Sequence, residues 1–383
     1  MEMLTSEVPA NPVAINLSQY SRKDRVWGVK RNEADSGQAM FIESKDPKQI
    51  KRGERMTKCG GYLLYKVFES KGSEGDKDLV HKLRYAEFCH VRLCSICQWR
   101  KALSWQARFY QAWPAIRKAY PTARYIHLVL TIPNCPVGEL REHLKRMSKA
   151  WHRMTSRKTW PALGFLRSVE VTRGRDGNAH PHYHVLLMVP AGYFDTKKNL
   201  YMNVEQWRDY WAKALRVPSG SLYPPFAAVC RKNMRKGKGA GVKSVGKGVD
   251  DIADAVCEVV KYAVKGQDMV KLAKTPEGRD WFRELDTQLS GSKAVLMGGV
   301  IKEYVNSGDI TDEEMLHREE EEMKQAFKDW RYDWFPGKKS YLRTKVLDEM
   351  ETAFWDRQEA KRKEKKDHKP MPCPRVQRHP EAS

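Results

Sequence analysis

The 383-residue sequence predicts an α+β protein in which antiparallel strands pack against helices, and three patterns predict it. Strand-like stretches of alternating character are joined by short Gly/Asp/Asn turns, as at Arg173-Gly174-Arg175-Asp176-Gly177-Asn178, which makes their neighbours antiparallel. Between them run segments with an apolar residue every three or four positions, the spacing of a helix with one buried face. A hydrophobic content of 41% over this length supports a sizeable core, as one large domain or two modest ones with appendages.

Residues 1–55 mix Asn, Pro, Ser and charge without a sustained period and are expected to form a loosely ordered arm folding back on the body. Residues 56–100 are cysteine-rich. Within them two strand-like pieces, 62–68 and 79–88, are joined by the turn-prone Ser70–Gly75 stretch, a hairpin flanked by cysteines. Residues 101–303 are expected to form the main domain. A helix over 98–120 carries Leu103, Ala107, Tyr110, Trp113 and Ile116 on one stripe, with a bend expected at Pro114. A strand over 125–132 ends at Pro133-Asn134, and a second helix, 139–157, buries Leu140, Leu144, Met147, Trp151 and Met154. Strands 163–172 and 182–189, a helix over 204–215, a strand over 225–231 and a helix over 250–264 follow. Residues 304–360 read as a charged region with an acidic helix at 313–328 and an aromatic cluster at 330–335, and 361–383 as a disordered basic tail.

Charge narrows the partners. Seventy Lys+Arg against 48 Asp+Glu give a formal net charge of +22, which favours a polyanion, nucleic acid first. No apolar run reaches the roughly 20 residues a membrane span needs, and the first residues lack the basic-then-apolar order of a signal peptide, so a cytoplasmic protein is expected. Between residues 231 and 248 lies a Gly-rich basic loop whose Arg231, Lys232, Arg235, Lys236, Lys238, Lys243 and Lys247 suit a phosphate backbone, against the plainer reading of a solvated loop.

The chemistry is densest at His180-Pro181-His182-Tyr183-His184. On a strand, residues two apart share a face, so His182 and His184 can grip one metal ion. Glu170, flanked by valines on the preceding strand, points the same way if the two strands pair, completing a shell that leaves positions open for a phosphate oxygen on Mg2+ or Mn2+. His180 shares the parity, but Pro181 is expected to distort the strand start, which makes His180 a supporting contact or an alternative ligand. Two histidines and a carboxylate also occur in non-haem iron oxygenases, which need neither a tyrosine helix nor this positive charge.

That helix is expected to carry Glu258, Tyr262 and Lys265 on one face at four- and three-residue spacing. Lys265 can lower the phenol's pKa or neutralise a phosphate, and Glu258 can act as a base on water, so the set supplies nucleophile, cation and base. The competing reading is a surface Glu-Tyr-Lys stripe. A third cluster, Cys59, Cys89, Cys94 and Cys97, has the two-residue gap of a zinc knuckle and would hold a closed, structural Zn2+, with His90 as a substitute for Cys89. The remaining cysteines of the eight, Cys135, Cys230, Cys257 and Cys373, read as core or incidental.

On these residues the chain resembles the rolling-circle replication initiators of small plasmids, in the single-tyrosine class of the HUH endonucleases. Leu128-Val-Leu-Thr-Ile-Pro-Asn134 is similar to the family's first motif, His180 to Leu186 to its metal motif, and Glu258 to Lys265 to its tyrosine motif. The segments Cys59-Gly60 and Cys89 to Arg100 resemble its N-terminal cysteine segment, and Gln288 to Gly299 more loosely a later one, covering roughly 59–303. The resemblance implies a central antiparallel sheet with the histidines on a middle strand and the tyrosine on an adjacent helix. It implies that Tyr262 attacks a phosphodiester at an origin, leaving a 5′-phosphotyrosine and a free 3′-OH that primes synthesis, and that Glu258 activates the water that ends the cycle. Origin DNA, single-stranded or extruded, is the implied partner, with host helicase and replication proteins beside it. Some relatives carry a second tyrosine nearby; none lies within a helical turn of Tyr262, so termination through one is not expected. An HUH transposase, a mobilisation relaxase or a non-catalytic zinc-stabilised DNA-binding regulator are the alternatives.

Overall fold

A computed structural model describes residues 16–21, 24–71, 77–195, 200–218, 222, 227–229, 243–245, 252, 255–256, 258–260, 264–305 and 328–367. Two antiparallel sheets organise them. The first runs in the order β10 (Ser340–Val346), β9 (Lys328–Phe335), β1 (Tyr62–Lys71) and β2 (Lys77–Ala86). The second runs β6 (Ala227–Val229), β3 (Arg124–Thr131), β5 (Ala179–Val189), β4 (Gly164–Arg173) and β8 (Val295–Gly298), with β7 (Lys243–Val245) also paired to β3. The expected α+β architecture with antiparallel sheets and flanking helices is therefore present.

Period two decides what the second sheet's faces do. Ile126, Leu128 and Leu130 of β3, Val169 and Val171 of β4, and Tyr183, Val185 and Leu187 of β5 enter one core. There they meet the apolar stripes of α5 (Leu140–Thr155) and α6 (Val204–Leu215), with Leu144, Met147, Trp151, Trp207 and Trp211 all buried. Burying each such side chain contributes about 1.5–3 kcal/mol. Trp211 adds direction, its indole N–H donating to the Thr131 carbonyl at 2.9 Å. On the opposite face Tyr125, Leu166, Leu186 and Met188 pack against Phe109 and Ile116 of α4 (Ser95–Ala119), Val256, Val259 and Ile301. The helix α4 continues through Pro114, which is exposed.

Four expectations change. Residues 25–42 and 47–58 are helices, α2 (Arg25–Ile42) and α3 (Pro47–Lys58), rather than a loose arm. Their order comes from tertiary contacts that an apolar count overlooks. The buried side of α2 includes Arg31, Glu33, Ala34 and Gly37, and Gly37 lets Met56 approach to 3.4 Å of where a Cβ would stand. The aromatic cluster after 328 is strand β9, with Trp330, Tyr332 and Trp334 buried at alternate positions, and it pairs with β1 over Tyr62↔Asp333 to Val67↔Lys328. The Arg84–Asp329 ion pair is buried across this sheet. Residues 361–367 end a helix (Glu349–Asp367) rather than beginning a disordered tail, because Lys66 and Arg84 pair with Asp356 and Glu359 and dock that helix on the first sheet. Finally, β5 begins at Ala179 and carries Pro181 inside the ladder opposite Val171, so the proline does not break the strand. Of the helix expected at 313–328, residues 313–327 lie outside the described residues and Lys328 opens β9 instead, and the tail from 368 also lies outside them.

Candidate active site and cysteine centre

The register of β4 on β5 sets Glu170 opposite His182 and Ser168 opposite His184, so all four point to the face away from the main core. The carboxylate meets both imidazoles. Glu170 Oε2 lies 2.9 Å from His182 Nε2 and 2.6 Å from His184 Nε2. Its other oxygen, Oε1, is buried without a hydrogen bond and has the Lys265 ammonium 3.6 Å away. Burial alone would raise the Glu170 carboxyl, but contact with the two histidines reverses this and holds it far below the usual range, so it is ionised. Burial lowers the His184 pKa, against a pull upward from Glu170 and from nearby Glu258. The donor atoms of Glu170, His182 and His184 lie within 4.8 Å of one another, and a buried carboxylate oxygen lacking a hydrogen bond beside two imidazoles fits a divalent cation. His180 stands apart. Its Nδ1 is 2.8 Å from Asn134 Oδ1 and its Nε2 3.5 Å from Thr131 Oγ1, and Asn134 in turn donates to Asp176.

The segment expected to carry the nucleophile approaches this face. Residues 252, 255–256 and 258–259 are helical, with Ile252, Val256 and Val259 in the second core. Ser168, on the ligand-bearing face, donates its hydroxyl proton to the Val259 carbonyl, tying helix to sheet one residue after Glu258. The helix does not run through to Lys265 as expected. Val260 is a turn, Val264 a bend, and Lys265 is extended at φ −66°, ψ 136° as the cap of a new helix, Gly266–Leu272. At Gly266, the first residue of that helix, a Cβ would overlap the Glu33 carboxylate, so the new helix starts packed close against α2. Lys265 consequently reaches Glu170 rather than stacking on a continuous helical face. Tyr262 lies outside the described residues, between the buried Val260 and Val264.

The four cysteines come together from three elements. Cys59 caps the end of α3, Cys89 follows β2, and Cys94 and Cys97 open α4. Sulfur separations are 3.6 Å for Cys59–Cys97, Cys89–Cys97 and Cys59–Cys94. Four thiolates about 2.3 Å from a central zinc would stand about 3.8 Å apart, so the set fits a tetrahedral ion. His90, at φ 53°, does not replace Cys89; its backbone N–H points at Cys97 Sγ, 3.3 Å away, while Val91 N–H donates to Cys89 Sγ at 3.5 Å. Contact among the sulfurs holds the Cys89 thiol well below its usual range and the Cys59 and Cys97 thiols above theirs, so the proton leaves Cys89 most readily, and the thiolate is the form that binds metal. Braces surround it. Arg31 donates to the carbonyls of Met56 and Cys59, Arg55 to that of Cys89, and Tyr341 to that of Gly60. Cys135 is buried and ungrouped, as expected, and Cys230, Cys257 and Cys373 lie outside the described residues.

Of the basic loop, Arg231, Lys232, Arg235, Lys236, Lys238 and Lys247 fall outside the described residues, while the Lys243 backbone forms part of β7 beside His127. His127 itself went unnoticed in the sequence. It is buried with Nε2 3.3 Å from His184 Nδ1. The signal was available, because alternation along 125–132 sends His127, Val129 and Thr131 to one face. Ser168 was likewise visible only as a neighbour of Glu170.

The fold and site define a class: an α+β protein whose antiparallel sheet carries a cluster of two histidines and one carboxylate that fits a cation, beside a glutamate-bearing helix. The replication protein family model matches residues 80–342, and the chain belongs to that family. It is 29% identical over 290 residues to Protein rep of Lentilactobacillus hilgardii, covering 74% of this chain and 82% of the relative. Against Protein rep of Bacillus amyloliquefaciens it is 29% identical over 335 residues, 84% and 94% of the two chains. Against that of Lactiplantibacillus plantarum it is 30% identical over 301 residues, 74% and 87%. No solved structure matches the chain. Among the described residues no helix is long and apolar enough to cross a membrane.

Proposed function

We propose that this protein initiates rolling-circle replication of a plasmid by nicking one strand of the origin, through the chemistry of an HUH endonuclease. The observation that carries the reading is the convergence of Glu170, His182 and His184 on the sheet face to which the Glu258 helix is fastened, in a member of the replication protein family. Mg2+ or Mn2+ held by these three side chains would polarise the scissile phosphate. Tyr262 Oη attacks the phosphorus, its proton passing to water. The phosphorus–O3′ bond breaks, and the departing oxygen takes up a proton as the free 3′-OH that primes synthesis. Lys265, beside Glu170, adds positive charge where the phosphate gathers negative charge. Glu258 later takes a proton from a water whose oxygen displaces the tyrosyl oxygen, ending the cycle without a second tyrosine. Zn2+ held by Cys59, Cys89, Cys94 and Cys97 would serve the fold alone, since four thiolates leave no open position. The basic residues between 231 and 247 bind the DNA backbone, and host replication proteins act downstream.

The test is incubation of the full-length protein with single-stranded origin DNA and Mn2+, followed by a denaturing gel. A covalent protein–DNA band in the wild type that vanishes in Tyr262→Phe is expected. DNA binding without a band, across several candidate origins, would overturn the proposal and make the chain a non-catalytic DNA binder.

A further inference from the structure

The buried rim of the histidine centre holds a side chain that the chemistry above does not use. His127 lies on β3 two residues before Val129, which pairs with His184 across the ladder. It is 2% exposed, with its Nε2 3.3 Å from His184 Nδ1 and the two ring centroids 5.5 Å apart at 30°. The opposite nitrogen of His184, Nε2, faces Glu170 Oε2 at 2.6 Å, on the side where the three donors converge. His184 is thus held at both ring nitrogens, one by the carboxylate and one by a second imidazole.

A neutral imidazole carries a single ring proton. If Nε2 offers its lone pair to a cation, the proton must sit on Nδ1, and a buried N–H without an acceptor is costly. Resting on the cation reading above, we propose that His127 is a positioning residue that accepts the Nδ1–H of His184 and so fixes the tautomer and ring plane in which Nε2 faces the ion. An imidazole suits this place better than a carbonyl would. Without the cation, His184 turns Nε2–H toward the ionised Glu170 and its Nδ1 becomes an acceptor; His127 can then donate from Nε2. As the ion arrives, His184 Nε2 gives up its proton, the proton between the rings passes from His127 Nε2 to His184 Nδ1, and His127 takes one up at its own Nδ1, so each ring keeps one proton and the contact persists. A carbonyl, which only accepts, would lose its bond in one of the two states.

The experiment is titration of the full-length chain with Mn2+, followed by calorimetry or by the electron paramagnetic resonance signal of free Mn2+, alongside thermal melts. The wild type should bind Mn2+ and His182→Ala should not; failure of that control would overturn the cation reading itself, and His127's role with it. Given the control, His127→Phe, which keeps a ring but has no nitrogen, should bind about 10–100-fold more weakly with an unchanged melting temperature. His127→Gln, whose amide both accepts and donates, should stay close to wild type. Binding by His127→Phe equal to wild type overturns the proposal while leaving the cation reading intact. Equal weakening in both variants, with a matching fall in melting temperature, also overturns it, because His127 would then contribute packing only.

Discussion

Cys59, Cys89, Cys94 and Cys97 are collected from the end of one helix, the loop after a hairpin and the start of another helix, whereas Glu170, His182 and His184 come from two adjacent strands in one register. The first set is closed, with sulfurs at tetrahedral spacing, backbone N–H groups aimed at them and arginines on the surrounding carbonyls. The second is supplied by a sheet whose hydrogen bonds and core would hold it in place whether or not anything is bound. One centre would therefore depend on what joins it, and the other is a prepared surface. Removing a donor from the first should act on folding, and from the second on chemistry.

Cys94→Ser should produce the largest effect. If the four thiolates share an ion, the loss is on the order of several kcal/mol, and a strong chelator should reproduce it in the wild type. Melting curves unmoved by either treatment would remove the distinction between the centres. Next, His184→Ala should lower origin nicking at least about 100-fold while leaving the melting temperature nearly unchanged and DNA binding within about threefold, because phosphate contacts rather than the ion supply most of the affinity. Binding and nicking falling together would make the second centre structural too. Arg31→Met removes a buried cation from the Met56 and Cys59 carbonyls and should cost about 2 kcal/mol in urea unfolding, with nicking by the folded fraction unaffected. The smallest effect belongs to Ser168→Ala. About 1 kcal/mol of stability should go with the bond to the Val259 carbonyl, but the nicking rate should fall further than that figure implies, since the bond holds the Glu258 helix against the sheet. Equal proportional losses would mean that the helix is held elsewhere.

Much of this contrast was legible because period two is a strong signal in strands that bury one face completely. Val169, Val171, Tyr183 and Val185 fix which way Glu170, His182 and His184 must look, and the cysteines announce themselves by type and spacing. Less visible were features in which polar or small residues take buried places. The inner side of α2 includes Arg31, Glu33 and Gly37, so its stripe does not read as apolar. His127 is a lone polar residue among the apolar residues around it in β3, and only the pairing with β5 sets it beside His184. The close approach of Gly266 to Glu33, more than 200 residues earlier in the chain, is a contact that no local pattern reports. Pairing of β9 with β1 is nonlocal in the same way. The alternation of Trp330, Tyr332 and Trp334 marks a strand but not its partner.

That last pairing sets an order of events during synthesis. Strand β1 leaves the ribosome early, yet its second neighbour, β9, ends at Phe335, and β10 follows only at Val346. Strand β8, by contrast, ends at Gly298, so among the described residues every strand of the histidine-bearing sheet has been made before β9 begins. A growing chain thus holds the cysteine-flanked hairpin with the β1 edge still unpaired while the described strands of the histidine-bearing sheet have all been made. Tyr341, which reaches back to the Gly60 carbonyl, is made only after β9, and its arrival fastens the later strands to the turn that precedes β1.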